Sequence, residues 1–278
     1  MIVFYAMGGG FGHLTRVKTF IKNTGIASHY KVICSHPKRN LFFTDDELIY
    51  IPTHAGISSQ ELRVLIQDAC AGYDIDKLFI DTFPCGILGE LTPNTIKHSK
   101  SYYLARRMNW SAYQPLASTA MRFEVSYCFE ELSADHLSYI YTYSRRHEPF
   151  KLNYPKPTAS LLQPSLKSSQ PIWLIIHTTH KEELEILISH AQDIAFITKC
   201  SPRYMVFTDV SIALDSNFEI MYQQQPADWY PYAEKIFSAA GFNTWYQLTP
   251  WREKHNCIPF KRKYDDQFWR SNLGVSIR

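Results

Sequence analysis

The chain opens on IVFYAMGGGFGH, residues 2–13, where an apolar run leads into four glycines and a histidine. The run IVFYA has the residue types of a buried strand, and HLTRVKTFIKNTG, residues 13–25, has the apolar spacing of a helix. A glycine-rich turn between a strand and a helix points backbone N–H groups beyond the carboxyl end of the strand. Because open α/β sheets bind ligands at that edge, the stretch predicts an α/β fold with a ligand site at its first turn.

The alternation of strand-like and helix-like segments continues along the chain. In the first half the strand-like runs are YKVICS, LIYIP, KLFIDTF, SYYLA and RFEVSYCF, with the helix-patterned ELRVLIQDACAGY among them. Prolines from position 149 to position 171 then interrupt any helix. After them the alternation resumes with PIWLIIHT, EELEILISHAQ, YMVFTDV, FEIMY, KIFSAA, a short helix, CIPF and a final helix. This pattern predicts two parallel-sheet domains, 1–150 and 171–278, joined by a proline-rich linker at 151–170.

Composition limits the classes of function. Of the 278 residues, 45% are hydrophobic and 20% are charged, which is the balance of a soluble globular protein. The net charge is only +3 and the basic residues are scattered, so no nucleic-acid partner is expected. Six widely spaced cysteines without a CxxC pair predict reduced thiols in the cytoplasm. Since no apolar run approaches the ~20 residues of a membrane helix, we expect at most peripheral membrane contact.

Two common nucleotide-binding motifs do not fit the glycine-rich turn. A dinucleotide fingerprint needs glycine at positions 8, 10 and 13, but His13 occupies the last of these. A P-loop needs a lysine after Gly12, and none is present. Two interpretations of His13 remain, because a histidine near neutral pKa is suited to act as a general base but would equally serve to cap a helix.

Asp81 ends the strand-like run KLFID and is expected at the same sheet edge as His13. A carboxylate there would hold an imidazole in one tautomer or contact an acceptor. The alternative is that Asp81 caps the turn that follows its strand.

Three segments near the end of the chain carry a resemblance to a known family. SAAGFNTWYQL at 238–248, CIPF at 257–260 and YDDQFWR at 264–270 resemble the donor-sugar signature of GT-B nucleotide-sugar glycosyltransferases. Together with GGGFGH, their order matches that family across the whole chain. The sequence is most similar to the branch of the bacterial cell-wall N-acetylglucosaminyltransferase, and FIDTFPCGILGEL at 79–91 resembles predicted glycosyltransferases related to it.

The resemblance implies two doubly wound, Rossmann-like domains of GT-B type that face one another across a cleft. It implies an inverting, metal-independent hexosyltransferase that needs no cofactor, takes a nucleotide-sugar donor, expected to be a UDP-sugar, and transfers the sugar to an unknown carbohydrate, lipid-linked or small-molecule acceptor. His13 would be the catalytic base with Asp81 beside it, and the acceptor loop would comprise Gly9, Gly10, Gly12 and Arg106. The donor would be bound by Gly241, Phe242, Asn243, Gln247, Asp266 and Gln267.

Some of these assignments have equally simple structural alternatives. Arg106 would bind an anionic acceptor group, or it would be a solvated neighbour of Arg107. Asp266 and Gln267 would contact sugar hydroxyls, or Asp266 would cap the last helix.

The sequence also departs from the family pattern. Gln247 stands where the family usually has a glutamate that binds both ribose hydroxyls. The segment HTTHKEE, with His177 and His180, replaces a glycine-rich turn, and a metal site is not predicted there because no third ligand is evident. These departures leave two alternatives open, which are a nucleotide-sugar epimerase of the same fold and a degenerate nucleotide- or sugar-binding protein without activity.

Overall fold

The computed structural model describes residues 1–26, 29–117, 121–155, 170–222 and 226–273. The chain forms two compact units: Met1–Asn153 with Lys263–Asp265, and Tyr154–Arg262 with Asp266–Arg278. Most of the predicted linker, 156–169, lies outside the described residues. Each unit is built on one parallel sheet.

The first unit contains a seven-stranded sheet in the order β3-β2-β1-β4-β5-β6-β7, and every pair of neighbours is parallel. Its strands are β1 Ile2–Tyr5, β2 Tyr30–Cys34, β3 Leu48–Tyr50, β4 Ile75–Asp81, β5 His98–Ala105, β6 Phe123–Cys128 and β7 Ser144–Pro149. Its helices are α1 Phe11–Thr24, α2 Ser59–Cys70, α3 Trp110–Tyr113 and α4 Ala134–Tyr143. The doubly wound sheet that the sequence predicts is therefore present.

The strand order reverses between β1 and β4. The chain runs outward from β1 through β2 to β3, and then returns to place β4 on the other side of β1. The loops that leave β1 and β4 consequently diverge, and such a switch point is where open α/β sheets form a ligand crevice. The glycine-rich turn follows β1 and Asp81 ends β4, so the fold brings the two predicted motifs to this point.

Strand β7 is the one strand of this sheet that the sequence pattern does not predict. Its sequence, SRRHEP, has neither apolar alternation nor an apolar run. It lies at the edge of the sheet, where it pairs only with β6, and most of its side chains are exposed. Charged side chains and proline are tolerated at edge strands because one side of the backbone needs no partner.

Helix α1 owes its position to glycines at both ends and an apolar face. Gly10 is its N-cap, and Gly25 ends it in the left-handed conformation at φ +69°. The buried face of the helix includes Leu14, Val17 and Phe20, which join the core beneath the sheet. Three polar residues share that buried face: His13, Arg16 and Thr19.

The second unit contains a five-stranded parallel sheet in the order β10-β9-β8-β11-β12. Its strands are β8 Ile172–Ile176, β9 Arg203–Thr208, β10 Phe218–Tyr222, β11 Ala233–Ala239 and β12 His255–Ile258. Its helices are α5 Lys181–Thr198, α6 Phe242–Gln247 and α7 Gln267–Leu273. The order reverses between β8 and β11, so the loops 177–180 and 240–241 lie at the switch point of this sheet. Every strand and helix predicted for this half of the chain is present.

None of the helices in the described part of the chain combines the length and apolar character needed to cross a bilayer.

Candidate active site

His13 and Asp81 are in direct contact at the switch point of the first sheet. The Nδ1 atom of His13 lies 2.6 Å from Oδ2 of Asp81. The Asp81 side chain is fully buried, whereas the His13 side chain is 11% exposed. Nε2 of His13 has no hydrogen-bond partner among the described residues. The pair therefore presents one ring nitrogen to a carboxylate and leaves the other available.

Arg16 completes the cluster, one helical turn after His13. Its Nε donates to Oδ1 of Asp81 at 2.8 Å and its Nη2 donates to Oδ2 at 2.6 Å. Nη2 also donates to Oγ1 of Thr82 at 2.8 Å. Arg16 is only 2% exposed, so its charge and that of Asp81 form a buried ion pair. The sequence pattern did not indicate a role for Arg16, although its place three residues after His13 puts both side chains on one helix face.

The electrostatics of the cluster favour a neutral histidine. Burial is the largest effect and lowers the pKa of His13, while the carboxylate of Asp81 opposes this; the charges of Arg16 and Arg106 lower the pKa further. Burial alone would raise the pKa of Asp81, but the Arg16 charge and the hydrogen bonds to that carboxylate lower the pKa below its usual range. An ionised carboxylate only accepts hydrogen bonds, so Nδ1 of His13 carries the proton and Nε2 has a lone pair.

Gly8 explains part of the glycine run. A Cβ at Gly8 would lie 2.3 Å from Cδ2 and 2.4 Å from Nε2 of His13, so a side chain at this position would require the His13 ring to move. By contrast, a Cβ at Gly9 or Gly10 would meet no atom within 4 Å among the described residues. The first glycine thus makes room for the imidazole, and the next two border open space. Gly12 is the second residue of α1.

Thr82 connects this cluster to the interior of the unit. Its φ is +65°, which is strained for a β-branched residue. Arg16 binds its hydroxyl, and the Tyr103 hydroxyl donates to its carbonyl at 2.7 Å. Nε2 of His136, which is fully buried, lies 3.0 Å from the same Tyr103 hydroxyl. The backbone turn after Asp81 is therefore fixed from both sides, and no sequence pattern indicated this.

Arg106 is buried and paired. Its Nη1 donates to Oδ1 of Asp265, a residue of the short segment that belongs to the first unit. The Arg106 guanidinium therefore has a carboxylate partner within the protein. Its nearby charge also disfavours protonation of His13.

Arg270 of α7 contacts the loop at 240–243 and stabilises it. Arg270 is fully buried, and its Nη1 donates to the carbonyl of Ala240 at 2.7 Å. Its guanidinium carbon lies 5.7 Å from the ring centre of Phe242. A Cβ at Gly241 would meet no atom of the described chain within 4 Å, so only a ligand would exclude a side chain there. The oxygen Oδ1 of Asn243 accepts a hydrogen bond from the Tyr154 hydroxyl at 2.9 Å.

The two residues at the start of α7 make hydrogen bonds within the protein. Oδ1 of Asp266 accepts from the backbone N–H of Trp269 at 3.1 Å, which is the geometry of a helix N-cap. Oε1 of Gln267 accepts from the backbone N–H of Phe260 at 3.0 Å, and Gln267 is only 4% exposed. Gln247 is the last residue of α6 and is half-buried. The predicted donor residues thus all belong to the second unit, around the loops that follow β11 and β12.

A second histidine and carboxylate cluster follows β8. Nε2 of His177 lies 3.0 Å from Oε2 of Glu183, and Arg262 binds the same carboxylate through both terminal nitrogens. Burial lowers the pKa of His177 to about 4, with Glu183 opposing this effect. No group of three His, Cys, Asp or Glu side chains among the described residues is arranged to hold a metal ion.

Similar proteins are found among solved structures. The chain is similar to the glycosyltransferase SnogD from Streptomyces nogalater, with a TM-score of 0.56 and 10% identity over 100% of this chain and 85% of SnogD. It is similar to Phytolacca americana UGT2, solved with UDP-2fluoro-glucose and pterostilbene. The TM-score is 0.59, with 12% identity over 99% of this chain and 84% of UGT2. It is also similar to the UDP-GlcNAc 2-epimerase from Methanocaldococcus jannaschii, with a TM-score of 0.52 and 10% identity over 99% of this chain and 92% of the epimerase. No family model and no curated protein matches the sequence.

The chain has the GT-B fold. Fold class does not by itself define a reaction, and this group of structures contains both transferases and epimerases. The His13 cluster lies at the switch point of the first sheet, and the His177 cluster follows β8 at the switch point of the second. The side chains at these sites therefore determine the reaction.

Proposed function

We propose that the protein is a glycosyltransferase that moves a sugar from a UDP-sugar to a hydroxyl group of an acceptor, with inversion and without a metal. The observation that carries the proposal is the His13–Asp81–Arg16 cluster, in which Nε2 of His13 has no partner in the described chain and lies against Gly8. A neutral imidazole with a free lone pair is suited to remove a proton from a hydroxyl at neutral pH.

In the proposed transfer, His13 acts on the acceptor hydroxyl while the diphosphate departs from the donor sugar. Nε2 of His13 accepts the acceptor's hydroxyl proton while the hydroxyl oxygen forms a bond to the anomeric carbon. The bond from that carbon to the diphosphate oxygen breaks, and the nucleoside diphosphate leaves with the electron pair. The imidazolium formed is stabilised by the Asp81 carboxylate, 2.6 Å from Nδ1, until the proton passes to solvent.

The second unit would bind the donor in this proposal. The backbone N–H groups at 241–243 would meet the departing diphosphate, and Arg270 would keep that loop in place through the Ala240 carbonyl. Asp266 and Gln267 already bind backbone groups, so their contribution to the sugar would pass through their remaining polar atoms. For the acceptor, the open space beside Gly9 and Gly10 is the proposed position.

Thermal melting with UDP, GDP, ADP and TDP, each with and without EDTA and divalent metal, tests the donor class. A ligand at roughly 100 times its dissociation constant stabilises the folded state by about 2.7 kcal/mol. We expect UDP alone to raise the melting temperature without metal. His13→Ala is expected to keep this shift and to lose UDP release from a UDP-sugar in the presence of acceptor. Loss of the UDP shift in His13→Ala would contradict the assignment of His13 as the base.

One observation favours a second candidate, a nucleotide-sugar epimerase. His177 and Glu183 add an acid–base pair at the switch point of the second unit, and an epimerase needs more proton-transfer groups than a transferase. Product analysis separates the two, because a transferase yields UDP and a glycoside whereas an epimerase yields an isomerised sugar nucleotide. UDP binding without either product would indicate the binding protein.

A further inference from the structure

Arg16 contacts all three polar residues at the end of β4 and the start of α1. It donates two hydrogen bonds to the Asp81 carboxylate and one to Thr82, and its Nη2 lies 3.4 Å from Nδ1 of His13. The two bonds to Asp81 use Nε and Nη2 together, so the carboxylate is held side-on in a planar fork. This bidentate contact keeps the carboxylate ionised and fixes its orientation.

The position of the Asp81 carboxylate decides which nitrogen of His13 carries the proton. Oδ2 of Asp81 is much closer to Nδ1, at 2.6 Å, than is Nη2 of Arg16, at 3.4 Å. A lone pair on Nδ1 would therefore face an anion at short distance. Nδ1 carries the proton for that reason, and Nε2 is left with the lone pair.

The charge of Arg16 decides whether His13 carries one proton or two. With Arg16 present, the buried ion pair is neutral overall, and a second proton on the ring would add an uncompensated positive charge beside the guanidinium. Without Arg16, the same proton would be attracted by an unpaired Asp81 carboxylate 2.6 Å away. Removing the arginine would thus convert a neutral imidazole into the cationic half of an ion pair.

We propose that Arg16 is a positioning residue that holds Asp81 side-on, so that His13 rests as the uncharged Nδ1–H tautomer with its Nε2 lone pair available to the acceptor. This inference deepens the proposed function and rests on it for the role of Nε2. The tautomer and charge of His13 are nevertheless properties of the free protein, which can be measured without any substrate.

Three charged side chains of the described residues act on His13. From β4 there is Asp81, from α1 there is Arg16, and after β5 there is Arg106, whose charge reaches His13 but is balanced by Asp265. The ring of Phe83 packs 5.5 Å from the His13 ring, centre to centre, and is apolar. Arg16 is therefore the charge whose removal leaves Asp81 uncompensated.

Long-range ¹H–¹⁵N NMR of the protein labelled at its histidines measures both tautomer and titration, with the His13 signal assigned by its loss in His13→Gln. In the wild type we expect Nδ1 protonated, Nε2 unprotonated, and titration below the usual histidine range. In Arg16→Met we expect the pKa of His13 to rise by at least about one unit. An unchanged or lower pKa in this variant would overturn the inference.

Two further variants keep the test decisive if Arg16→Met does not fold. Arg16→Lys keeps a charge but not the planar fork, so we expect a smaller rise in the pKa of His13 in the same direction. Arg16→Met with Asp81→Asn removes both charges, and His13 is then expected to titrate below its usual range again. A double variant that titrates above it would overturn the inference. Arg145→Gln, which alters an exposed arginine of β7, is the matched control and should leave His13 unchanged.

The pH dependence of the transfer rate is a measurement that a merely structural role of Arg16 would not change. In Arg16→Met, the transfer rate at neutral pH is expected to fall about tenfold for each unit by which the pKa of His13 rises above the assay pH, and to recover as the pH is raised. A rate that is low at every pH would contradict the inference. If the NMR titrations come out as expected and no nucleotide-sugar is turned over, the proposed function fails while the role of Arg16 stands.

Discussion

Each sheet carries a histidine, a carboxylate and an arginine near the carboxyl ends of its strands: His13, Asp81 and Arg16 in one, and His177, Glu183 and Arg262 in the other. The two clusters differ in the ring nitrogen that faces the carboxylate, which is Nδ1 in His13 and Nε2 in His177. They differ also in burial, because the Asp81 side chain is fully buried whereas that of Glu183 is 18% exposed. The difference shows that a histidine, a carboxylate and an arginine do not by themselves define a base, because the orientation of the imidazole differs between the two clusters.

The origin of the carboxylates explains the difference. Asp81 comes from the strand next to β1 and is fixed by a backbone turn whose Thr82 is bonded on both sides. Glu183 comes from the first turn of α5, and its arginine partner follows β12. The first cluster is therefore part of the sheet, while the second joins a helix start to a loop. We expect the first to be rigid and costly to break, and the second to tolerate change.

Neutralising each carboxylate gives the largest expected difference. Asp81→Asn leaves the buried Arg16 without its charged partner, so the free energy of unfolding is expected to fall by about 3–5 kcal/mol. Glu183→Gln leaves Arg262, whose side chain is 25% exposed and able to reach water, so a loss of about 1 kcal/mol is expected. Urea denaturation of both variants checks this, and equal losses would show that the two clusters are energetically alike.

Adding a methyl group at one glycine of each switch point gives the next largest difference. Gly8→Ala places a Cβ within 2.4 Å of the His13 ring, so the ring must move, at a cost of about 1–3 kcal/mol. A displaced base is expected to lower transfer by about 100-fold. The Cβ of Gly241→Ala meets no atom of the described chain within 4 Å, so the free energy of unfolding should change by under about 1 kcal/mol, the cost of alanine at a helix N-cap, whereas the UDP-induced melting shift should shrink if the diphosphate lies there. An unchanged shift would place the donor elsewhere.

The sequence predicts the parts of this comparison that depend on local pattern. Strand-like and helix-like runs predict both sheets, and GGGFGH with the end of KLFID predicts the meeting of His13 and Asp81, because parallel strands end at a common edge. The pairing of Arg16 with Asp81 depends on the exact rotation of α1 over β4, to which the sequence gives only the spacing from His13. The strand β7 depends on edge position rather than on residue type. Arg270 and the turn at Thr82 depend on tertiary packing alone.

Stability as a function of pH gives the smallest expected difference, and it concerns His177. Burial is the main reason that its pKa in the folded protein is about 4, below the ordinary 6.5, so the unfolded chain takes up the proton first as pH falls. Stability therefore decreases from about pH 6.5 downward and the decrease ends near the folded pKa. His177→Gln removes this contribution, so between pH 7 and pH 6 the variant should lose less stability than the wild type, by under about 1 kcal/mol. Urea denaturation at the two pH values measures the difference. The same comparison is made in an Asp81→Asn background, which leaves His177 untouched. Adding His177→Gln to Asp81→Asn should reduce the loss of stability between pH 7 and pH 6 by the same amount as in the wild type. If this reduction disappears in the Asp81→Asn background, the two clusters titrate as one system.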